Sequence, residues 1–376
     1  MIFPWTIAAA TVIVVYFLDR WENKALKTLF DWVPAVLLAY VIPALISYAF
    51  EIDFSQASIH DFSKTFFIPL AIVAVMSSLS FSQLKAIGYR PIVLFLAGSA
   101  IIALSPVIFT ALFLEGDFVQ NTLIKEGYWK GIPPIVGSWI GGSTSQLILK
   151  ELAGTTESLF LQVLVMDTVL VNIWTILMFQ IIKRSEKLNT IFKIQDAEIP
   201  LPIQSNQGKP LHVIWVVSIL IGSVFLIDFF LSSFVGKIIT LSFLGLFISN
   251  FIPRWNFDFV LKLGGILILI VMAILGLKLQ LSGLVLHTGF LMFLCVWIFL
   301  HFIGMVWVAK LLNLHMAWVP IASMANVGGI ATAPAVTAAH EKKWMPHAIV
   351  LAILSMATGT FWGMITIYLF EIVLGL

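Results

Sequence analysis

The stretch GSWIGGSTSQLILKEL, residues 137–152, sets two adjacent glycines and a run of three hydroxyl side chains into a chain otherwise rich in Leu, Ile, Val and Phe. Small polar residues leave backbone polar groups that hydrocarbon cannot satisfy. The fold therefore turns on how the chain accommodates this segment. Hydrophobic residues make up 60% of the sequence and charged residues 11%, with a mean hydropathy of +1.05. A soluble domain runs at about 45–50% apolar and about 25% charged, so this is the composition of an integral membrane protein. Apolar windows long enough to cross about 30 Å of hydrocarbon as helices recur along the chain and leave no room for a soluble domain. The short alternating segments of a β-barrel are absent, and the fold class is an all-α polytopic membrane protein.

Candidate spans are 2–18, 29–50, 63–83, 90–114, 159–182, 211–233, 236–252, 258–279, 283–309 and 346–374. Two segments stand apart, 131–152 and 315–340, both rich in Gly, Ser, Thr and Ala. Proline flanks or interrupts each: Pro133 and Pro134 in the first, Pro320 and Pro334 in the second. The N-terminal apolar run carries its charges after it, not before, and reads as a retained first span.

Basic residues of short loops favour the cytoplasmic side. Arg20, Lys24 and Lys27 follow the first span, Lys85 and Arg90 the third, and Lys183, Arg184, Lys187, Lys193 and Lys209 mark the long loop at 183–209. These groups share one side if 131–152 dips in and returns. They fall on opposite sides if it is a full but broken crossing helix. In the second half, re-entry of 315–340 likewise puts Arg254, Lys262, Lys310, Lys342 and Lys343 inside, with Lys237 and Lys278 as exceptions.

Superposing WIGGSTSQ (139–146) on NVGGIATA (326–333) aligns the double glycines at a shift of 187 residues, with Thr144 opposite Ala331 and Ser145 opposite Thr332. Each half then reads as four spans, a Gly-rich hairpin and a fifth span. An odd number of crossings per half inverts the second copy. The expected organisation is a first inverted repeat at 1–190 with its hairpin at 131–152, a cytoplasmic linker at 191–209, and a second inverted repeat at 210–376 with its hairpin at 315–340. Inverted repeats with interrupted segments at matching positions point to a secondary transporter with a midplane site. The plainer explanation is close helix packing through small residues.

Helix N-termini just after each glycine tip present free N–H groups suited to a carboxylate. The expected substrate-binding residues are Gly141, Gly142, Ser143, Thr144 and Ser145 in one half and Ser323, Asn326, Gly328, Gly329 and Thr332 in the other. Their hydroxyls and unwound carbonyls could coordinate Na⁺. Asp167 stands in the middle of 159–182, where an unpaired carboxylate costs about 2.5–3.5 kcal/mol even on lenient scales. It is a candidate Na⁺ or proton site, with Thr168 and Asn172 as helpers, set against a carboxylate hydrogen-bonded to a neighbouring helix. His287 and His301 read as hydrogen-bonded histidines, Asp228 as interfacial, and Lys150 and Glu151 as snorkelling to the interface. The thirteen Trp and thirty-one Phe read as lipid-facing bulk and interfacial anchors. The single cysteine, Cys295, excludes an internal disulfide or a thiolate cluster. No metalloprotease, serine-hydrolase or P-loop motif is present, and a net charge of +2 suggests no nucleic-acid partner.

The residues Gly141, Gly142, Ser143, Glu151 and Asp167, and then Ala325, Asn326, Gly328, Gly329, Ala331, Thr332, Gly359 and Gly363, carry a resemblance. The paired segments look like the signatures of the YjcL-like bacterial and plant membrane proteins, a family of unknown function. Two positions depart from that pattern, Ser145 where the family often has Asn and Ile330 where it often has Pro, and both fall in the expected site. The family in turn is similar in layout to the Na⁺-coupled glutamate, citrate and bile-acid symporters. That resemblance implies an elevator-like movement of a core against a scaffold, and a homodimer. The expected function is Na⁺- or H⁺-coupled symport of a small organic anion or an amino-acid- or peptide-like solute across the cell inner membrane, without enzymatic activity or a bound cofactor. Its rivals are a cation/proton antiporter and an intramembrane enzyme acting on lipid-linked substrates.

Overall fold

Proline and glycine mark several of the helix ends, although Pro43, Pro106 and Pro334 lie inside helices. Proline at the first positions of a helix loses no intrahelical bond, and it opens the helices at Ile132 and Met345, while Gly154 and Gly375 close helices in the left-handed conformation. Elsewhere a side chain caps the first turn: Asn256 accepts from the Phe259 N–H at 3.2 Å and His287 from the Phe290 N–H at 3.0 Å.

The computed structural model describes residues 3–23, 35–54, 56–81, 85, 87–194, 209–277, 287–341 and 344–375. Lys24, Lys27, Lys278, Lys342, Lys343 and residues 195–208 of the expected linker lie outside the described residues. All regular structure among the described residues is helical. In chain order the helices are α1 (Phe3–Arg20), α2 (Ala35–Ala49), α3 (Ile59–Met76, with a π-helical turn at Ser63–Phe67), α4 (Tyr89–Leu112) and α5 (Ile132–Ala153). Then come α6 (Glu157–Ile182), α7 (Ser185–Phe192), α8 (Val213–Phe230), α9 (Phe234–Phe251) and α10 (Phe257–Gly276). The last four are α11 (Thr288–Leu311), α12 (Trp318–Val327), α13 (Gly329–Ala338) and α14 (Met345–Leu374). Eight of these, α1, α3, α4, α6, α8, α10, α11 and α14, are long and apolar enough to cross a membrane, and shorter apolar helices cover Leu38–Ala49 and Gly236–Phe251. Each of the ten expected spans overlaps one of these eight or one of the two shorter helices; residues 2, 29–34, 82–83, 278–279 and 283–286 of the expected spans lie outside the described residues. The protein is a multi-pass membrane protein.

The chain forms two compact units, each assembled from both halves of the sequence. Unit 1 comprises residues 1–79, 156–168 and 206–285, and unit 2 comprises 80–155, 169–205 and 286–376. In unit 1, α10 packs on α1, α2 and α3, and α9 packs on α3. The carbonyls that end α3 are met from the second half: Trp255 Nε1 donates to Ser77 O at 2.9 Å and Ser249 Oγ to Leu79 O at 2.9 Å. Lys237, an exception to the charge bias, is ion-paired with Asp228, which neutralises both. In unit 2, α14 is the central helix and packs on α4, α5, α12 and α13. Trp139, Trp297 and Trp318 are fully buried, so part of the expected lipid-facing aromatic bulk is core instead. Trp139 packs on Trp297 with ring centres 4.6 Å apart, and Trp318 stacks on Trp344 at 5.1 Å.

Candidate functional site

Helix α5 is two arms joined at Gly142, whose φ of 69° and ψ of −165° lie in a region essentially restricted to glycine. The second arm runs back along the first. A Cβ placed on Gly137 would lie 2.6 Å from Leu149 Cδ1 and 2.8 Å from the carbonyl of Ser145, whereas eight residues of unbroken helix would separate 137 from 145 by about 12 Å. The 131–152 segment is thus a helical hairpin. The second Gly-rich segment breaks between α12 and α13, with Gly329 at φ 65°, and the two short helices pack on each other. Every residue of α12 is buried.

The two tips match in detail at the 187-residue shift read from the sequence. Gly142 and Gly329 both have positive φ. The Ser145 hydroxyl sits over Gly141, and the Thr332 hydroxyl sits over Gly328, each where a Cβ would stand. Gly141 also meets the backbone of Gly359 on α14, a close approach that excludes any side chain. Both hairpins lie in unit 2, where α5 contacts α12 and α13. Gly141, Gly142, Ser143, Thr144, Ser145, Ser323, Asn326, Gly328, Gly329 and Thr332 are therefore brought into one compact unit.

Their polar atoms have different fates. Ser145 accepts from the Thr360 hydroxyl at 3.0 Å, and the Ser355 hydroxyl donates to Ile140 O. Asn326 accepts from the Ser99 hydroxyl at 3.0 Å and donates to Phe95 O at 3.3 Å. Ser323 accepts from Trp174 Nε1 at 3.0 Å and meets His301 Nε2 at 3.2 Å, while His301 Nδ1 meets Gly98 O at 3.2 Å. Because Gly98 O can only accept, Nδ1 carries the proton and Ser323 donates to Nε2. His301 is fully buried with both ring nitrogens engaged, a hydrogen-bonded histidine that ties α4, α11, α12 and α6 together. By contrast, the hydroxyls of Thr144 and Thr332 are buried with no hydrogen-bond partner, although a buried hydroxyl normally finds one.

Helix α6 carries the remaining candidates. Asp167 is 5% exposed and, with Thr168, belongs to unit 1, whereas Asn172 belongs to unit 2. The Thr168 hydroxyl donates to Leu164 O of its own helix at 2.8 Å. Lys150 does not snorkel outward. It is 4% exposed and forms an ion pair with Glu151 at 3.0 Å, since the hairpin folds its arm into the unit.

Over residues 6–209 and 211–372 the sequence matches a family described as "Protein of unknown function (DUF819)". The chain belongs to the DUF819 family. No curated protein matches it.

One cluster of this DUF819 protein escaped the sequence altogether. Glu186 of α7, His315 before α12 and His340 after α13 bring ligand-type atoms within 4.8 Å of one another, a spacing that could hold a metal ion. Hydrogen bonding argues for a clasp instead. His315 Nδ1 accepts from the Ala317 N–H at 3.1 Å, so the ring proton is on Nε2, which donates to Glu186 at 3.1 Å. Asn189 Oδ1 accepts from the Met316 N–H at 2.8 Å. Burial pushes the Glu186 carboxyl up, but hydrogen bonds from Asn189 and His315 and the two nearby imidazoles more than reverse this, and it sits below its ordinary value. Burial and the neighbouring His315 hold His340 below its ordinary value, against the opposing pull of Glu186 and Glu341. No local pattern marks such a cluster, because Glu186 lies more than a hundred residues from either histidine. Ser99, Ser355 and Thr360 were also missed; their only signal is a hydroxyl inside an apolar span.

Proposed function

We propose that this protein is a secondary active transporter of the inner membrane, carrying a small organic anion or an amino-acid- or peptide-like solute by symport with Na⁺ or H⁺, and not an enzyme. The observation that carries the reading is the pair of hairpin tips in unit 2, each with a positive-φ glycine and each followed within a turn by a buried hydroxyl without a partner, Thr144 and Thr332. Unwound backbone at membrane depth is tolerated where it lines a cavity or is buried in protein. The arms beginning at Ser143 and Gly329 start with free N–H groups that favour an anion. Asp167, buried on α6, is the proposed ligand of the coupling cation, with Thr168 and Asn172 nearby in sequence. The matched geometry of the tips supports an inverted repeat, and the mixed parentage of the two units supports a division into a moving core, unit 2, and a scaffold, unit 1.

The test is a thermal-shift screen of the purified protein against small carboxylates and zwitterions, with and without Na⁺, followed by uptake of any hit into proteoliposomes. A ligand at about 100 times its Kd stabilises the folded state by about 2.7 kcal/mol, a clear rise in melting temperature. Thr144→Val and Thr332→Val keep the side-chain shape, and each should abolish the ligand-dependent rise while leaving the ligand-free melting point unchanged or slightly higher. Ligand binding that survives both substitutions would remove the tips from the site.

A further inference from the structure

Helix α11 turns a ridge of large apolar side chains outward, with Ile303 53%, Trp307 64% and Leu311 75% exposed. In a membrane-spanning helix this ridge faces hydrocarbon. At its C-terminal end the ridge runs into a groove of about 390 Å³, walled on the other side by Leu188 and Phe192 of α7 and floored by Val306. Lys310, in the last turn of α11, stands at the groove with its Nζ 6.0 Å from the centre of the Phe192 ring. Among the described residues Lys310 makes no ion pair. The segment 183–193 adds Lys183, Arg184, Lys187 and Lys193, and its one acid, Glu186, is held by His315 and Asn189.

We propose that this groove binds an anionic phospholipid, with an acyl chain between α7 and α11 and the phosphate on Lys310. An apolar slot continuous with the bilayer and ended by an unpaired cation matches an amphiphile of that charge. Basic pockets between helices at the cytoplasmic surface are the known setting for such headgroups. A soluble anion would leave the slot unfilled.

The lipid has a route to the hairpins. Helix α7 walls the groove with Leu188 and Phe192 and, through Glu186 and Asn189, holds His315 and Met316 at the start of α12. A filled groove steadies α7, and α7 steadies the leading end of the second hairpin. This regulatory half rests on the transport reading. The binding itself does not, so the two can fail separately.

The experiment reconstitutes the full chain in nanodiscs of phosphatidylcholine alone or with added phosphatidylglycerol, then measures retained lipid by native mass spectrometry and the unfolding temperature. Phosphatidylglycerol should be retained in preference and should raise the unfolding temperature. Lys310→Gln should cut that preference about fivefold, the worth of one basic residue at an anionic surface, and Lys310→Arg should keep it. Val306→Trp, which fills the slot, should abolish retention of either lipid. Equal retention of the two lipids by the parent protein would overturn the proposal, as would a preference that survives both Lys310→Gln and Val306→Trp. So would competition by soluble glycerol phosphate as effective as by the lipid.

Discussion

At the scale of single residues, adjacent glycines do different work. Gly141 has no room for a side chain, since a Cβ would meet Ser145 and the Gly359 backbone, whereas Gly142 has open space around it but a backbone conformation that L-residues rarely adopt. Alanine at either position should destabilise the protein, for separate reasons. Gly142→Ala is expected to cost about 1–3 kcal/mol through backbone strain alone, seen as a lower melting temperature with side-chain packing around Trp139 preserved. Gly141→Ala should instead part α5 from α14 and change the fluorescence of buried Trp139, which packs on Trp297 at 4.6 Å between ring centres. An unchanged melting point for Gly142→Ala would mean the tip adopts another conformation in solution. The sequence marked both glycines, because few other residue types stand out in an apolar chain. It could not say which was steric and which conformational.

At the scale of elements, the short helix α7 and the two ends of the α12–α13 hairpin share one polar cluster whose strength depends on pH. His340 is held below its ordinary value of 6.5, so the folded protein takes up that proton less readily than the unfolded chain. The stability tied to a neutral His340 is therefore present above about 6.5 and is lost as pH falls toward the folded value. Glu186 is held below 4.5, and its contribution persists above that value and fades as pH falls further, through its folded value. Both act in the same direction. Hydrogen exchange at α7 and at Met316, corrected for the intrinsic rate, should lose protection between about pH 7.5 and about pH 5, and His340→Gln should flatten the step. Protection that is constant over this range in the parent protein would uncouple His340 from the clasp. Both hairpins were visible in the sequence as elements, through Gly-Gly pairs and flanking prolines, but this clasp was not. Helical periodicity says which face a residue is on and nothing about a partner 129 residues away.

At the scale of the whole molecule, neither half of the sequence contains a complete unit. The first hairpin packs on α14 from the second half, and α2 and α3 pack on α10. Residues 1–190 expressed alone should therefore aggregate or be degraded, because their apolar faces lack partners. Residues 1–194 and 209–376 produced together from two genes should assemble into a complex that elutes as one species. A stable, monodisperse 1–190 fragment would contradict this interdependence. The sequence reading placed its boundaries between the two expected repeats, each a contiguous stretch. Packing draws boundaries by contact and need not respect them.

Hydropathy, the spacing of apolar windows and the paired glycines by themselves determined that this is a polytopic helical membrane protein with two interrupted segments, since each of those signals is local and follows from the cost of exposing backbone or charge to hydrocarbon. Only the tertiary structure decided that α5 doubles back at Gly142, that Ser323 is hydrogen-bonded to His301 and Asn326 to Ser99 and Phe95 while the hydroxyls of Thr144 and Thr332 have no partner, and that Lys150 is buried beside Glu151. These depend on how helices from different parts of the chain pack together. A hydroxyl's partner, or its lack of one, exists only once the helices have packed.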